Sequence, residues 1–138
     1  MGRPPRSRPP RLLTEVELEL MSILWELGEG TVREVLAELP RRRTLAYSSV
    51  STILRILEGK LLVKSRKVGR SHRYRPALSK PRYERRSIRH LLDKVFNGAP
   101  RAMVMRLVDD EGLSRRELED LEQLLKEKIE SLARRNRR

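Results

Sequence analysis

The fold is decided by two neighbouring stretches, residues 41–57, RRRTLAYSSVSTILRIL, and residues 67–73, KVGRSHR. In the first stretch apolar side chains recur three and four residues apart, at Val50, Ile53, Leu54 and Leu57. That spacing predicts a short helix with one buried face, and small hydroxyl side chains fall on the opposite face. The second stretch predicts the tip of a positively charged β-hairpin.

Residues 61–67 predict one strand of this hairpin, residues 68–71 its turn and residues 72–75 the return strand, which a proline closes. A hairpin alone is marginal in water, so it must pack on the helices. The alternative to a binding function is a solubilising edge that Lys and Arg protect from aggregation.

Two further helices are predicted upstream, each opened by a threonine with a glutamate three residues later. Thr14 with Glu17, and Thr31 with Glu34, fit the capping box. A Gly-Glu-Gly segment ends the first helix and a proline ends the second. Thr44 is the expected cap of the third helix. Two short helices joined by a basic turn form a helix-turn-helix, whose later helix enters the major groove of DNA.

The polar face of the third helix and the charged hairpin are therefore the candidate DNA-binding surface. Hydroxyl groups hydrogen-bond to base edges or phosphates, and an arginine binds guanine through two hydrogen bonds. A surface helix that is merely rich in serine is the alternative. The predicted DNA-binding residues are Arg42, Arg43, Thr44, Tyr47, Ser48, Ser49, Ser51, Thr52, Arg55, Arg66, Lys67, Arg70, Ser71 and Arg73.

The charge of the chain is large and unevenly distributed. Of 138 residues, 32 are Lys or Arg and 19 are Asp or Glu, a formal net charge of +13. Residues 12–40 carry seven acids against Arg33 alone, and residues 60–90 carry twelve bases against Glu84 alone. Because neutralising phosphates releases counterions, this basic centre favours a polyanionic partner such as double-stranded DNA.

Composition also excludes several classes of function. The chain has no cysteine, which excludes disulfides and thiolate metal sites, and its two histidines fall on different elements. No apolar run approaches the roughly 20 residues that span a bilayer, and the N-terminal segment lacks a signal-peptide core, so we expect a cytoplasmic protein without membrane insertion. No nucleophile beside a base, phosphate loop or ligand cluster indicates an enzyme, a cofactor or a metal.

The predicted fold class is mainly α with a small β-hairpin. Residues 12–78 form a winged helix-turn-helix domain, and residues 79–138 form a C-terminal helical dimerisation domain with a capping box at Ser114 and Glu117. Three helices of that length cannot close a core alone, so their apolar faces meet a second chain or fold back on the first domain; we favour a homodimer. The predicted dimerisation residues are Ile88, Leu91, Leu92, Val95, Leu118, Leu121 and Leu125.

Residues 1–11, MGRPPRSRPPR, predict a disordered basic arm, either solvated or lying along DNA.

Over about residues 12–130 the chain resembles the penicillinase-repressor family, the BlaI/MecI/CopY type of bacterial winged-helix repressors. The resemblance implies a homodimer that binds a dyad-symmetric operator and blocks transcription. It places Ser49 and Thr52 at positions of DNA contact, and Gly69 with Arg70 at the wing tip. The matching motifs are residues 13–25, LTEVELELMSILW, residues 47–57, YSSVSTILRIL, the Gly69-Arg70 pair and the Tyr74-Arg75-Pro76 triplet.

The chain departs from the family pattern at several positions. The penicillinase type is released by proteolysis in the C-terminal helices, which implies a membrane-bound sensor protease as a partner. The equivalent bond here joins Arg106 and Leu107, where the family commonly has Asn-Phe. The copper-responsive branch uses C-terminal cysteine pairs that this chain lacks. Leu61 stands where a glycine usually ends the recognition helix, and Gly59 is the expected substitute stop.

Three functional hypotheses follow. The first is a dimeric repressor with a defined operator. The second is a non-specific architectural nucleic-acid-binding protein, which would bind random duplexes with equal affinity. The third is a protein-interaction module in which the C-terminal helices matter most, and intact dimers without DNA binding at low salt would favour it.

Overall fold

The computed structural model describes residues 12–137, so the arm predicted at residues 1–11 lies outside the described part of the chain. No helix in residues 12–137 is long and apolar enough to cross a membrane. The prediction of a mainly helical chain with a small sheet is confirmed. The elements are α1 Glu15–Leu27, β1 Gly30–Thr31, α2 Val32–Ala37, α3 Tyr47–Gly59, β2 Val63–Val68, β3 Ser71–Pro76, α4 Lys80–Lys94, α5 Pro100–Asp110 and α6 Arg115–Asn136.

The hairpin is formed by β2 and β3, which pair antiparallel. Val63 pairs with Pro76 and Val68 with Ser71, so the turn consists of two residues. Gly69 is the first of them, and its φ of 62° lies in the left-handed region that this turn position requires. The strand begins at Val63 rather than at residue 61, because the segment before it closes α3.

A short strand that the sequence did not predict completes the sheet, in the order β1-β3-β2. Gly30 pairs with Tyr74, and Thr31 pairs with Arg73. A segment of two residues is too short to show an alternation of polar and apolar side chains, so only its pairing with β3 identifies it as a strand. The pairing connects the hairpin to the junction between α1 and α2.

The core lies between α1, α2, α3 and the sheet. The predicted stripe of α3 is confirmed at Val50, Leu54 and Leu57, which are wholly buried, whereas Ile53 is partly buried. Burying side chains of this size contributes about 1.5–3 kcal/mol each. The buried apolar residues are Leu20, Met21, Ile23, Leu24, Val32, Val35, Val50, Leu54, Leu57, Leu62, Val63, Tyr74 and Leu78.

Side-chain caps fix where several helices begin. At α1 the Glu17 N–H donates to Thr14 Oγ1 at 3.2 Å, and the Thr14 N–H donates to Glu17 Oε1 at 3.0 Å. This capping box and the one predicted at the start of α6 both form in full. At α2 only the Glu34 N–H donates to Thr31 Oγ1, at 3.2 Å, because the Glu34 carboxylate pairs with Arg73 instead.

The prediction that Thr44 caps α3 is wrong. The N-cap is Ala46, which makes no side-chain capping bond. Leu45 immediately before the cap and Val50 at the fourth helical position both pack in the core, as in a hydrophobic staple. Burial of this apolar pair therefore sets the helix start, three residues later than the threonine.

α3 ends at Gly59, the residue expected as its stop, and the left-handed residue that closes the helix end is Leu61. Leu61 has a φ of 65°, in the left-handed region, and is 82% exposed. The Leu62 N–H donates to Leu57 O and the Leu61 N–H donates to Glu58 O, both at 2.9 Å. These two bonds form a Schellman motif, and the buried side chains of Leu57 and Leu62 supply its apolar contact.

The chain divides into two compact units, and the division lies between Arg89 and His90, inside α4. The first half of α4 belongs to the first unit: the ring centroids of Tyr83 and Trp25 are 5.7 Å apart. Trp25 Nε1 also donates to Leu78 O at 2.9 Å, and this partly buried side chain packs against the core. No residue of α5 or α6 is buried. The exact domain boundaries remain a prediction.

Candidate nucleic-acid interface

The polar face of α3 is exposed and its orientation is fixed. Tyr47, Ser48, Thr52 and Arg55 are exposed, and Ser49 and Ser51 are half-buried at the edge of the face. Rotating the helix would expose three wholly buried side chains on the other face, at about 1.5–3 kcal/mol each. The predicted hydroxyl and guanidinium groups therefore point away from the core.

One face of the hairpin lies against α3. Ser65 pairs with the buried Tyr74 across the strands, and the Ser65 hydroxyl donates to Glu58 of α3. Burial and then the charge of Glu58 raise the pKa of the Tyr74 hydroxyl, and the nearby Arg55 guanidinium opposes that rise. Arg55 thus lies where the recognition helix meets the sheet.

Lys67 and His72 pair with each other further along this same face. Side chains alternate between the two faces of a strand, so Lys67 shares the face of Ser65, and His72 that of Tyr74. Both are exposed, as are Arg70 and Ser71 at the tip. Lys67 and His72 therefore continue the hairpin face that lies against α3, and sequence reasoning had not placed His72 among the DNA contacts.

The opposite face of the hairpin carries two arginines that are held by acids. Arg66 pairs directly with Arg73 across the strands, a repulsive neighbour pair. Glu29 lies against both, with Oε1 2.7 Å from Arg66 Nε and 3.5 Å from Arg73 Nε, and Glu34 Oε1 lies 3.0 Å from Arg73 Nη1. The hydrogen bond from Arg66 is the main cause that lowers the pKa of Glu29. Arg66 and Arg73 remain predicted DNA contacts, but here their partners are carboxylates.

The basic turn before α3 is attached to α1 by Arg43. Its Nη2 and Nε donate to the two carboxylate oxygens of Glu19 at 2.8 and 3.0 Å. This bidentate bond lowers the pKa of Glu19 and raises the pKa of Arg43. Arg43 is half-buried and positions the turn, whereas Arg42 and Thr44 are exposed and accessible to a ligand.

A buried carboxylate joins α1 to the end of α3. Glu17 is 6% exposed, and its Oε2 accepts from Lys60 Nζ at 2.8 Å. Burial alone would raise the pKa of Glu17, but the hydrogen bonds from Lys60 and Thr14 outweigh it and the pKa is lowered. The acidic residues of segment 12–40 therefore do not form a separate surface. Several of their carboxylates pair with basic side chains of the turn before α3, of the end of α3 and of the hairpin.

The residues predicted for dimerisation and cleavage lie in the C-terminal half. Ile88, Leu91, Val95, Leu118 and Leu125 are exposed, although they are large and apolar. The two remaining members of the dimerisation set, Leu92 and Leu121, are half-buried, and the proposed cleavage pair, Arg106 and Leu107, is exposed on α5.

An exposed polar recognition helix followed by a basic hairpin defines the chain as a winged helix-turn-helix protein. The family model described as penicillinase repressor matches residues 13–127, and the chain belongs to that family. The resemblance drawn from the sequence motifs is confirmed.

The chain is similar to named relatives over different shares of its length. The chain is 28% identical over 115 residues to a penicillinase repressor of Bacillus licheniformis, over 83% of this chain and 90% of the relative. It is 43% identical over 65 residues to the transcriptional regulator BlaI of Mycobacterium tuberculosis, over 46% of this chain and 47% of the relative. A solution structure of the monomeric form of Bacillus licheniformis BlaI in complex with the blaP half-operator shows 28% identity. That match covers 55% of this chain and 92% of the other, with a TM-score of 0.46.

Proposed function

We propose that the chain is a sequence-specific DNA-binding transcriptional repressor that acts as a homodimer on a dyad-symmetric operator. The observation that carries the proposal is the exposed polar face of α3, fixed by the wholly buried Val50, Leu54 and Leu57 and bordered by the charged hairpin. Membership of a family of repressors supports it, and that family is one of regulators rather than enzymes.

Within this proposal the side chains divide by role. Arg55 and the hydroxyls of Ser48 and Thr52 contact base edges in the major groove. Lys67 and Arg70 of the hairpin contact phosphates, which adds affinity without sequence preference. Tyr74 positions Arg55, because its hydroxyl lies close to the Arg55 guanidinium.

Dimerisation is proposed through the C-terminal helices. Their apolar side chains are exposed in a single chain, and a contiguous apolar surface of this kind is typical of an association site. Two copies then present two recognition helices to half-sites about one helical turn, or a multiple of it, apart.

Release by a membrane-bound sensor protease is the remaining part of the proposal. The Arg106–Leu107 bond lies within α5, and both side chains are exposed. Cleavage there would separate α6 from the rest of the chain and so weaken dimerisation. Co-expression with such a protease, followed by mass spectrometry of the fragments, tests it, and cleavage at any other bond contradicts the assignment.

The decisive experiment is selection of bound duplexes from a random library by the full chain, followed by competition at physiological salt. A repressor prefers its selected duplex over a scrambled one by at least about 10³-fold. Equal affinity for the two would establish the non-specific architectural alternative and contradict the proposal.

Which face of α3 contacts the DNA bases is tested separately by Arg55→Ala, with Arg70→Ala as the matched control. Arg55→Ala should cost about 1–3 kcal/mol on the selected duplex and relax the preference at one base pair. Arg70→Ala should weaken all duplexes equally and lower the log–log salt slope by about 2, since each of the two protomers loses one phosphate contact. If Arg55→Ala changes neither base preference nor affinity, α3 presents another face to DNA.

A further inference from the structure

The first half of α4 carries a stripe of arginines that the proposed DNA contacts do not use. Arg82, Arg85, Arg86 and Arg89 recur at intervals of three and four, which puts them on one face of the helix. All four are exposed. Within residues 12–137, no ion pair joins Arg82, Arg85 or Arg86 to an acid.

The fold uses the other faces of this helix. Tyr83 packs against Trp25, and its hydroxyl accepts a hydrogen bond from the Leu13 N–H at 3.2 Å. Ser87, one turn later, donates to Tyr83 O at 2.8 Å. Ile88 and Leu91 lie on a separate, apolar face. The arginine stripe thus contributes nothing to packing.

The stripe has a cost that a bound polyanion removes. Like charges three and four residues apart repel one another and destabilise a helix. Arg82 to Arg86 span four residues of helix, a rise of about 6 Å, and one DNA strand presents a phosphate about every 3.4 Å along the duplex axis. The stripe therefore matches about three successive phosphates, and the planar guanidinium group forms two parallel hydrogen bonds to a phosphate.

We propose that Arg82, Arg85 and Arg86 bind backbone phosphates of duplex DNA that flanks the segment contacted by α3 and the hairpin. The argument for DNA is that Arg82 to Arg89 belong to the same compact unit as α3 and the hairpin, held by Tyr83 and Trp25. Because the stripe belongs to that unit, its contact with flanking DNA would need no second association step. The inference rests on the proposed function.

The test compares the full chain with the triple variant Arg82→Gln, Arg85→Gln, Arg86→Gln on two duplexes. One is the selected core of roughly 20 base pairs, and the other is the same core extended by about 10 base pairs at each end. On the extended duplex the log–log slope of affinity against salt should fall by about 5 in the variant, close to 0.9 for each of the six phosphate contacts that the two protomers of the dimer lose. On the core alone the slope should stay within about one unit of the wild-type value, and circular dichroism should show an equally helical variant.

A charge-matched control separates a local contact from net charge. Arg101→Gln, Arg116→Gln and Lys128→Gln remove the same charge from α5 and α6. An equal loss of slope in this control, or an unchanged slope in the α4 variant on the extended duplex, overturns the inference.

Binding of the wild type to phosphatidylserine vesicles, lost in the α4 variant while DNA binding is unchanged, also overturns it and assigns the stripe to a lipid surface. Failure of the proposed function is distinguishable, because it appears as equal affinity of the wild type for selected and scrambled cores with identical flanks.

Discussion

Leu61 has a backbone conformation that is unusual for its residue type. It adopts a left-handed φ of 65° at the end of α3, a region that costs an L-residue about 1–2 kcal/mol relative to glycine. The Schellman hydrogen bonds and the burial of Leu62 hold it there. The recognition helix thus ends in a strained residue whose own side chain is in solvent.

Leu61→Gly should therefore stabilise the chain by about 1 kcal/mol, less the entropy that glycine adds to the unfolded state. Urea unfolding measures this as a higher midpoint with an unchanged slope. Lys60→Gly is the matched control, because Lys60 has a φ of −83° and gains nothing from glycine. A lower midpoint for Leu61→Gly would show that the left-handed residue is not strained.

At the scale of elements, the hairpin is attached to the helices by charges. The repulsion between Arg66 and Arg73 is balanced by Glu29, which comes from the segment between α1 and β1. Glu29 therefore stabilises the sheet by reducing the repulsion between these two arginines, and Glu34 supplies a second carboxylate to Arg73.

Glu29→Gln should destabilise the hairpin and strengthen non-specific DNA binding, because Arg66 in each protomer loses its anionic partner, whereas Arg73 keeps Glu34. The salt dependence of binding should steepen by up to about two phosphate contacts. Glu26→Gln changes the net charge equally from an exposed site on α1 and is the control. Equal effects of the two variants would show that only net charge matters.

Patterns among residues that are close in the sequence predicted most of the helices and strands. The features that were missed depend on pairs of residues that are far apart in the sequence. The capping box at Thr14 and the apolar stripe of α3 depend on residues three or four apart, so periodicity finds them. The ion pair of Glu29 with Arg66 joins residues 37 apart, and that of Glu17 with Lys60 joins residues 43 apart. Such pairs depend on how elements pack, which explains why Arg43, Arg66 and Arg73 were predicted only as DNA contacts.

For the whole molecule, the proposed dimer depends on apolar side chains of α6. Leu121→Asp with Leu125→Asp should give monomers in sedimentation, because burying two carboxylates in an apolar interface is unfavourable. Operator affinity should fall by roughly 10²-fold or more, since each half-site then binds alone. Gln123→Asp with Ser131→Asp, on exposed polar positions, should leave the oligomeric state unchanged. An intact dimer in the leucine variant would exclude this face as the interface.

Stability should also depend on pH through the carboxylates that hold the first unit together. The pKa values of Glu17, Glu19 and Glu29 are lowered in the folded chain from the ordinary 4.5. Their contribution is present above pH 4.5 and is lost as the pH falls through the lower folded values, so the urea midpoint should drop on that acid side. Glu17→Gln keeps an oxygen for the capping bond and should flatten the drop, whereas an unchanged profile would show that Glu17 does not contribute.

The anchoring of α4 by Trp25 has a practical consequence. This residue is the single tryptophan of the chain, and its indole is hydrogen-bonded to Leu78 O and packed at a tilt of 38° against Tyr83. Any event that separates the first half of α4 from α1 exposes this indole to water and shifts its emission to longer wavelength. The protein therefore contains its own optical probe, and loss of this anchor on unfolding can be followed by intrinsic fluorescence without a dye.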